Sequence, residues 1–437
     1  MSSPKGFEQL LKAGVRKREL FGWAMYDFAN SGYTTVILTA VYSAYFVGSV
    51  AQGASWATLA WTASLSLSYL LVMLTIPAIS LQADARGNKL QWLRFSTLGC
   101  VITTAALAWP HSDYLWLAIV LLVLSNLFYS YGESLIAAFL PEIARPNTLG
   151  RVSGWGWGWG YVGGMLTLGL CLTYVLQAQA KNQPATQFVP VTLWITAIIF
   201  GLAALVTFVF LRERAVLNPQ EPRSALTWAQ ALRVSLQSFQ TSYQSTRHFV
   251  DFRRLLHCTV AYQAGVAVAI TIAAIYAEQV IGFEPQETMI LIFALNIAAA
   301  VGALGFGHVQ DALGHKRALA FTLVIWILTC LVAAWSSTKG EFWIAATLAG
   351  VAMGSSQSAG RAMVGLLSPE TRRAEFFGLW SVAIRLASII GPLSYGIITL
   401  ITQGQHRVAI VATALFFVAG LWLLKSIQME RGVAAAN

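Results

Sequence analysis

Apolar residues in this chain come in long runs separated by short polar stretches, without the period-two alternation of a half-buried strand. A helix needs about 20 predominantly apolar residues to cross a hydrocarbon core of ~30 Å. Runs of that length predict spans over 22–48, 57–81, 91–109, 114–138, 151–177 and 190–211, then over 256–280, 287–307, 317–336, 341–366, 376–402 and 407–425. The pattern predicts an all-α integral membrane protein with twelve transmembrane helices.

The basic residues test that count, because lysine and arginine gather in the cytosolic loops of membrane proteins. The connections expected outside lie near 50–56, 110–113, 178–189, 281–286, 337–340 and 403–406. They hold only Lys181 and Lys339, with Arg407 at the edge of the last span. Both termini are therefore expected in the cytosol. The predicted organisation is a tail over 1–20, a six-helix half over 21–211, a basic linker over 212–255, a second half over 256–425 and a tail over 426–437. Within the linker, Leu226, Ala229, Leu232, Leu236 and Phe239 recur at helical spacing, while Gln230, Arg233, Gln237 and Gln240 fall largely elsewhere. That pattern predicts an amphipathic helix on an anionic leaflet.

Composition narrows the function. Of 437 residues, 57% are hydrophobic and 11% charged, against about 25% charged in an ordinary soluble domain. The net charge of +10 is spread over interhelical segments, so no basic face for nucleic acid is expected. Cys100, Cys171, Cys258 and Cys330 stand singly within apolar runs, which predicts buried thiols and no metal or disulfide framework. The sequence has no P-loop, HExxH or GxSxG, so neither ATP-driven transport nor an enzyme is expected, and no cofactor.

A duplicated loop is the most specific feature. The chain reads SLQADARGNK at 80–89 and GHVQDALGHK at 307–316, which pairs Asp84 with Asp311, Gly87 with Gly314 and Lys89 with Lys316 at a spacing of 227 residues. The same slide carries the first span onto the start of the seventh. Two six-helix halves in parallel repeat are the arrangement expected of a carrier whose halves rock about a central site.

With these residues in view, the chain resembles the major facilitator superfamily, whose loop between spans two and three reads G-x-L-x-D-R-x-G-R-K. Ser80 and Ala85 depart from that signature, and Arg86 follows one place late. The opening span, GWAMYDFANSGYTTVILTAVYSAYF, resembles the vacuole-effluxer-like branch, which includes the autophagy-related vacuolar amino-acid effluxer and bacterial relatives. FLPEIARPNTLGRVSGWGWGWGYVGG at 139–164, SSQSAGRAMVGLLSP at 355–369 and EFFGLWSVAIRLASIIGPLSYG at 375–396 fit the same branch. The resemblance implies the major facilitator fold and, as cargo, an amino acid or similar solute.

An ionised side chain within a span costs roughly 2.5–3.5 kcal/mol on insertion scales, so it is a functional candidate. Asp27, Glu133, Arg361 and Arg385 lie in the first, fourth, tenth and eleventh spans. They are expected to form a gate between the halves or to couple protons. Static salt bridges within each half are the alternative. Asn30, Tyr262, Gln263, Asn296 and Gln357 are candidates for substrate contact, against the alternative of interhelical hydrogen bonds. Asp84, Gly87, Lys89, Asp311, Gly314 and Lys316 form the expected gating loops, or plain loop fasteners. Gly156, Gly160 and Gly164 recur every four residues in the fifth span and predict close helix packing. The fifth span lacks the proline-containing glycine motif of drug/proton antiporters, and the eight methionines form no cluster for a metal.

The expected function is secondary transport of a small polar organic solute by alternating access, coupled to protons, by a monomer in the lipid bilayer. A transporter-like sensor or lipid-handling protein is the competing class, with a metal or drug transporter behind it.

Overall fold

The computed structural model describes residues 11–109, 114–145, 149–214, 243–369 and 373–436, with Gln230, Arg233, Gln237, Gln240 and Thr241 between them. Among these residues the chain is helical, with a single isolated bridge between Leu11 and Ala144. Twelve long helical segments occupy the expected places. The first runs from Lys17 to Val50, followed by Ala57–Arg86, Lys89–Ala106, Leu115–Ala137, Leu149–Ala180 and Ala185–Phe210. The second set comprises Val250–Ile281, Pro285–Leu313, His315–Trp335, Lys339–Leu366, Arg373–Ile401 and His406–Lys425. Ten are long and apolar enough to cross a membrane; Lys89–Ala106 and Lys339–Leu366 have the length but carry more polar residues.

By packing, the chain divides into two compact units, Met1–Leu38 with Ser68–Ser235, and Thr39–Leu67 with Leu236–Asn437. The far ends of the first two spans thus belong with the second set of helices. Trp61 donates its indole N–H to the Thr271 carbonyl at 3.1 Å, Ser66 donates to that of Ile389 at 3.3 Å, and a methyl group on Gly396 would lie 3.0 Å from Leu59 Cα. The chain leaves the first unit inside a widened π-helical stretch, Thr34–Ala40, in the middle of the first span. That stretch reads TTVILTA, a run of β-branched side chains that crowd an α-helical turn.

In the first unit, the glycines of the fifth span let it lie directly on the first. A methyl added at Gly160 would meet Ser31 Oγ at 2.6 Å, at Gly164 Thr35 Oγ1 at 2.8 Å, and at Gly163 Phe28 Cα at 2.7 Å. Close approach is what this spacing supplies in lipid, where packing and hydrogen bonds hold helices together. Tyr33 stacks on Tyr129 with centroids 4.5 Å apart, and its hydroxyl meets Ser125 Oγ at 2.9 Å. In the second unit, Trp326 stacks on Phe417 at 5.1 Å, and Thr338 caps the tenth span by accepting from Glu341 N–H at 3.3 Å. All four cysteines are buried and free.

The tails are tied down. Lys12 N–H donates to the Ile143 carbonyl at 2.9 Å, and Arg145 Nε donates to that of Leu11 at 2.7 Å. Residues 429–436, expected only as tail, form a helix (Met429–Ala436) held by Asp251. In the linker, Gln230, Arg233, Gln237 and Gln240 are helical and exposed. The five apolar residues expected on its other face lie outside the described residues.

Candidate functional site

The two units carry the same helix crossing, built from a tyrosine on a glycine. In the first unit the Tyr26 hydroxyl lies against Gly132, so spans one and four meet there. In the second the Tyr262 hydroxyl lies against Gly360, joining spans seven and ten. A second contact repeats as well: Gly163 of the fifth span abuts the Phe28 carbonyl, and Gly391 of the eleventh abuts that of Ala264. Tyr26 to Tyr262 and Phe28 to Ala264 are both steps of 236 residues; Gly132 to Gly360 and Gly163 to Gly391 are both steps of 228. The duplication expected from the loops therefore extends into the packing. The first span, however, is offset by 236 instead of 227, because Tyr26 stands nine residues farther from its loop than Tyr262 does from the second one.

These offsets align the candidate charges. Asp27 follows Tyr26 and Glu133 follows Gly132, so two acids flank the crossing in the first unit. At the equivalent places of the second unit stand Gln263 and Arg361. Asp27 is half-buried, its carboxylate against Gly156 beside the Trp23 ring; Glu133 is exposed, and Arg361 and Arg385 are half-buried.

The neutral candidates differ in what they are free to do. Gln263 donates to Gln357 Oε1 at 3.2 Å and accepts in return at 3.5 Å, so the structure brings these two together across spans seven and ten. Asn30 is buried one turn from Asp27, and its side-chain oxygen has no hydrogen-bond partner among the described residues. Tyr262 is fully buried, with its Cβ 3.0 Å from the methyl position of Gly420, and its hydroxyl has no hydrogen-bond partner among the described residues. Asn296 donates to the Ile292 carbonyl of its own helix at 2.9 Å.

In the duplicated loops Gly87 and Gly314 both have positive φ, +61° and +82°. Lys89 Nζ pairs with Glu142 at 2.8 Å. Lys316 Nζ instead donates to the Ile427 carbonyl at 2.6 Å and to that of Lys425 at 3.2 Å, completing the carbonyl end of the twelfth span. Asp84 and Asp311 are helical, but their side chains lie outside the described residues.

Two carboxylates that sequence reasoning passed over turn out to organise this side of each unit. Glu142 joins Lys89 to the Arg214 N–H at 3.0 Å, while Arg214 donates to Glu19 at 2.8 Å. The hydrogen bond to Glu19 holds the Arg214 guanidinium charged even beyond its usual range. Asp251 accepts from Arg431 Nε at 2.7 Å, Arg431 Nη2 at 2.8 Å and Gln428 N–H at 2.8 Å. An acid beside a span end, within PEIARP or HFVDFRR, was the available signal.

A cavity lies elsewhere, inside the second unit, and its walls are apolar. Among the described residues no cluster of histidine, cysteine and acidic side chains is fit to hold a metal.

Comparison with known proteins agrees with this architecture. The model of the family described as "Vacuole effluxer Atg22 like" matches residues 43–437. An uncharacterised MFS-type transporter of Bacillus subtilis, YxiO, is 27% identical over 93% of this chain and 94% of its own length. Autophagy-related protein 22-1 of Aspergillus fumigatus is 24% identical over 64% of this chain, which spans about half of that protein's length (48%). Among solved structures, a bacterial homologue of the human lysosomal transporter Spinster superposes with a TM-score of 0.68 at 14% identity, covering 98% of this chain and 99% of that one. The D-xylose–proton symporter gives 0.66 at 13% identity, covering 95% and 98%. At those identities the structures establish the fold.

Proposed function

The chain belongs to the Atg22-like vacuole effluxer family of major facilitator transporters, a multi-pass membrane carrier and not an enzyme, and from that premise we propose what it moves and how. The cargo is a small polar organic solute, an amino acid being the first to test. Asp27 and Glu133 carry the proton or gate the passage, opposed by Arg361 and Arg385. The supporting observation is the repeated tyrosine-on-glycine crossing, flanked by acids in one unit and by an amide and a cation at the equivalent places in the other. Asn30 on the first half and the Gln263–Gln357 pair on the second supply hydrogen bonds for orientation. Asn296 and Tyr262 serve as helix packing.

The Lys89 and Lys316 loops act as gating fasteners, made in one state and released in the other. The termini lie in the cytosol and the carrier works as a monomer in a bacterial inner membrane, in keeping with the bacterial relative and with the basic residues of its loops.

The test is solute-evoked pH change in proteoliposomes across a panel of amino acids and small metabolites, with wild type and Asp27→Asn in parallel. Wild type is expected to move protons with one class of solute. Asp27→Asn should lose at least ten-fold in proton flux while that solute still raises the thermal midpoint of the purified protein. An Asp27→Asn carrier with undiminished proton flux would remove Asp27 from the coupling role.

A further inference from the structure

The cavity within the second unit measures about 70 Å³ and is walled by spans seven, eight, nine, ten and twelve. Small side chains open it: Ala273 of the seventh span and Ala346 and Ala349 of the tenth stand where larger residues would fill the bundle. Aromatic pairs close its two ends, Tyr276 on Phe342 at 5.6 Å and Trp326 on Phe417 at 5.1 Å.

Its polar atoms are already committed. The Tyr276 hydroxyl donates to the Ala333 carbonyl at 2.8 Å, Thr329 to that of Ile325 at 2.9 Å and Thr413 to that of Ala409 at 2.9 Å. A water needs two to four polar partners, and an apolar cavity without them stays dry. The same walls offer a polar solute nothing, so this is not the passage of the cargo.

On spans nine and twelve the cavity lies beside residues that face outward from the unit. On the ninth span Thr329 and Cys330 line it while Leu328, 48% exposed, looks outward; on the twelfth Ile410 and Thr413 line it beside Val411 and Leu415, 45% and 66% exposed. Ile410 is itself half-exposed. In a spanning bundle those outward residues meet acyl chains.

We infer that this cavity is a lipid-tail site, taking the end of one acyl chain from the bilayer leaflet on the side where spans seven and eight are joined. Tyr276 and Phe342 stand at that end and Trp326 at the inner limit, so a tail that enters must come to rest against the Trp326 indole. The site is independent of the nature of the cargo, since its walls lie within one unit and are apolar.

The test uses the full-length protein in liposomes of phosphatidylcholine brominated in mid-chain, with unbrominated lipid as reference. The Trp326 signal is obtained as the difference between wild type and Trp326→Phe. That component is expected to lose at least half its fluorescence in the brominated lipid. Ala349→Leu, which places three carbons in the cavity, should restore more than half of the loss. Ala273→Leu fills the same space from the opposite wall and serves where Ala349→Leu does not fold, with circular dichroism as the check on folding. A Trp326 component equally bright in both lipids would overturn the inference. So would quenching that both filled variants leave unchanged, because the bromines would then act from outside. Quenching by a dissolved dibromoalkane but not by brominated lipid would likewise overturn it, and assign the cavity to free apolar solutes.

Discussion

Replacing Gly163 or Gly391 by alanine tests the repeated core of both units with a single methyl group. At Gly163 the added carbon would sit 2.7 Å from Phe28 Cα and press on the Phe28 carbonyl; at Gly391 it would sit 2.9 Å from Ala264 Cα and press on that carbonyl. Both obstacles are backbone and cannot rotate away. Carbon atoms rest ~3.5–4.0 Å apart, so each helix pair must separate by about 1 Å, and contacts all along the crossing weaken. Overpacking of a tight core costs about 1–3 kcal/mol, and that range is expected for each variant. Gly158→Ala is the internal control, on the same helix with no atom within 4 Å of the new methyl; there the better helix former should add about 0.5–1 kcal/mol of stability. The assay is reversible unfolding in mixed micelles, followed by circular dichroism. If Gly163→Ala and Gly391→Ala unfold together with Gly158→Ala, the fifth and eleventh spans do not lie on the first and seventh as described.

Two further predictions concern the loops and the tail. Gly87→Ala and Gly314→Ala place a side chain at φ +61° and +82°, and each should cost about 1–2 kcal/mol in the same unfolding assay; no change at either would mean that the turn relaxes freely. Asp251, 2% exposed, holds Arg431 and the Gln428 N–H, whereas Arg431 is 48% exposed. Arg431→Ala should therefore weaken the tether less than Asp251→Ala does, read as a smaller loss of hydrogen-exchange protection over Met429–Ala436. Asp251→Ala should release the Met429–Ala436 helix, read as at least a ten-fold loss of hydrogen-exchange protection there, and unaltered protection would refute the tether.

The number and order of the spans were legible because hydrocarbon imposes one length on every crossing, and the duplicated loops because their residues recur at one spacing. The transfer of Thr39–Leu67 to the second unit was not legible. Apolar runs look the same whichever neighbour they bury against, and the π-helical stretch at Thr34–Ala40 has the hydropathy of any span. The offset of the first span escaped for a related reason: sliding by 227 is fixed by the loop, while the registration of Tyr26 on Tyr262 appears only when each hydroxyl is found on its glycine. Candidate polar residues were legible as types and not as roles. Asn296 and Gln263 look alike in sequence, yet one bonds within its own helix and the other across to Gln357. Glu142 and Asp251 went unnoticed because an acid near a span end is cheap to hydrate and carries no strong signal.

What the repeat preserves and what it varies bear directly on the proposed mechanism. The contacts common to both units involve backbone atoms and glycines, Gly163 on Phe28 and Gly391 on Ala264, where almost any side chain would force the helices apart. The side chains beside those contacts are under no such steric demand. A neutral residue in place of Asp27, Glu133 or Arg361 would avoid roughly 2.5–3.5 kcal/mol of insertion cost apiece. Packing alone therefore gives no reason for charge at these positions, and gives still less reason for its sign to differ between equivalent halves. A carrier that must hold a dipolar solute, or pass a proton, while its halves rearrange has such a reason. Neutralising Glu133 or Arg361 is on this argument expected to lower transport far more than it lowers the unfolding midpoint; a loss of stability matching the loss of transport would make the charges structural instead.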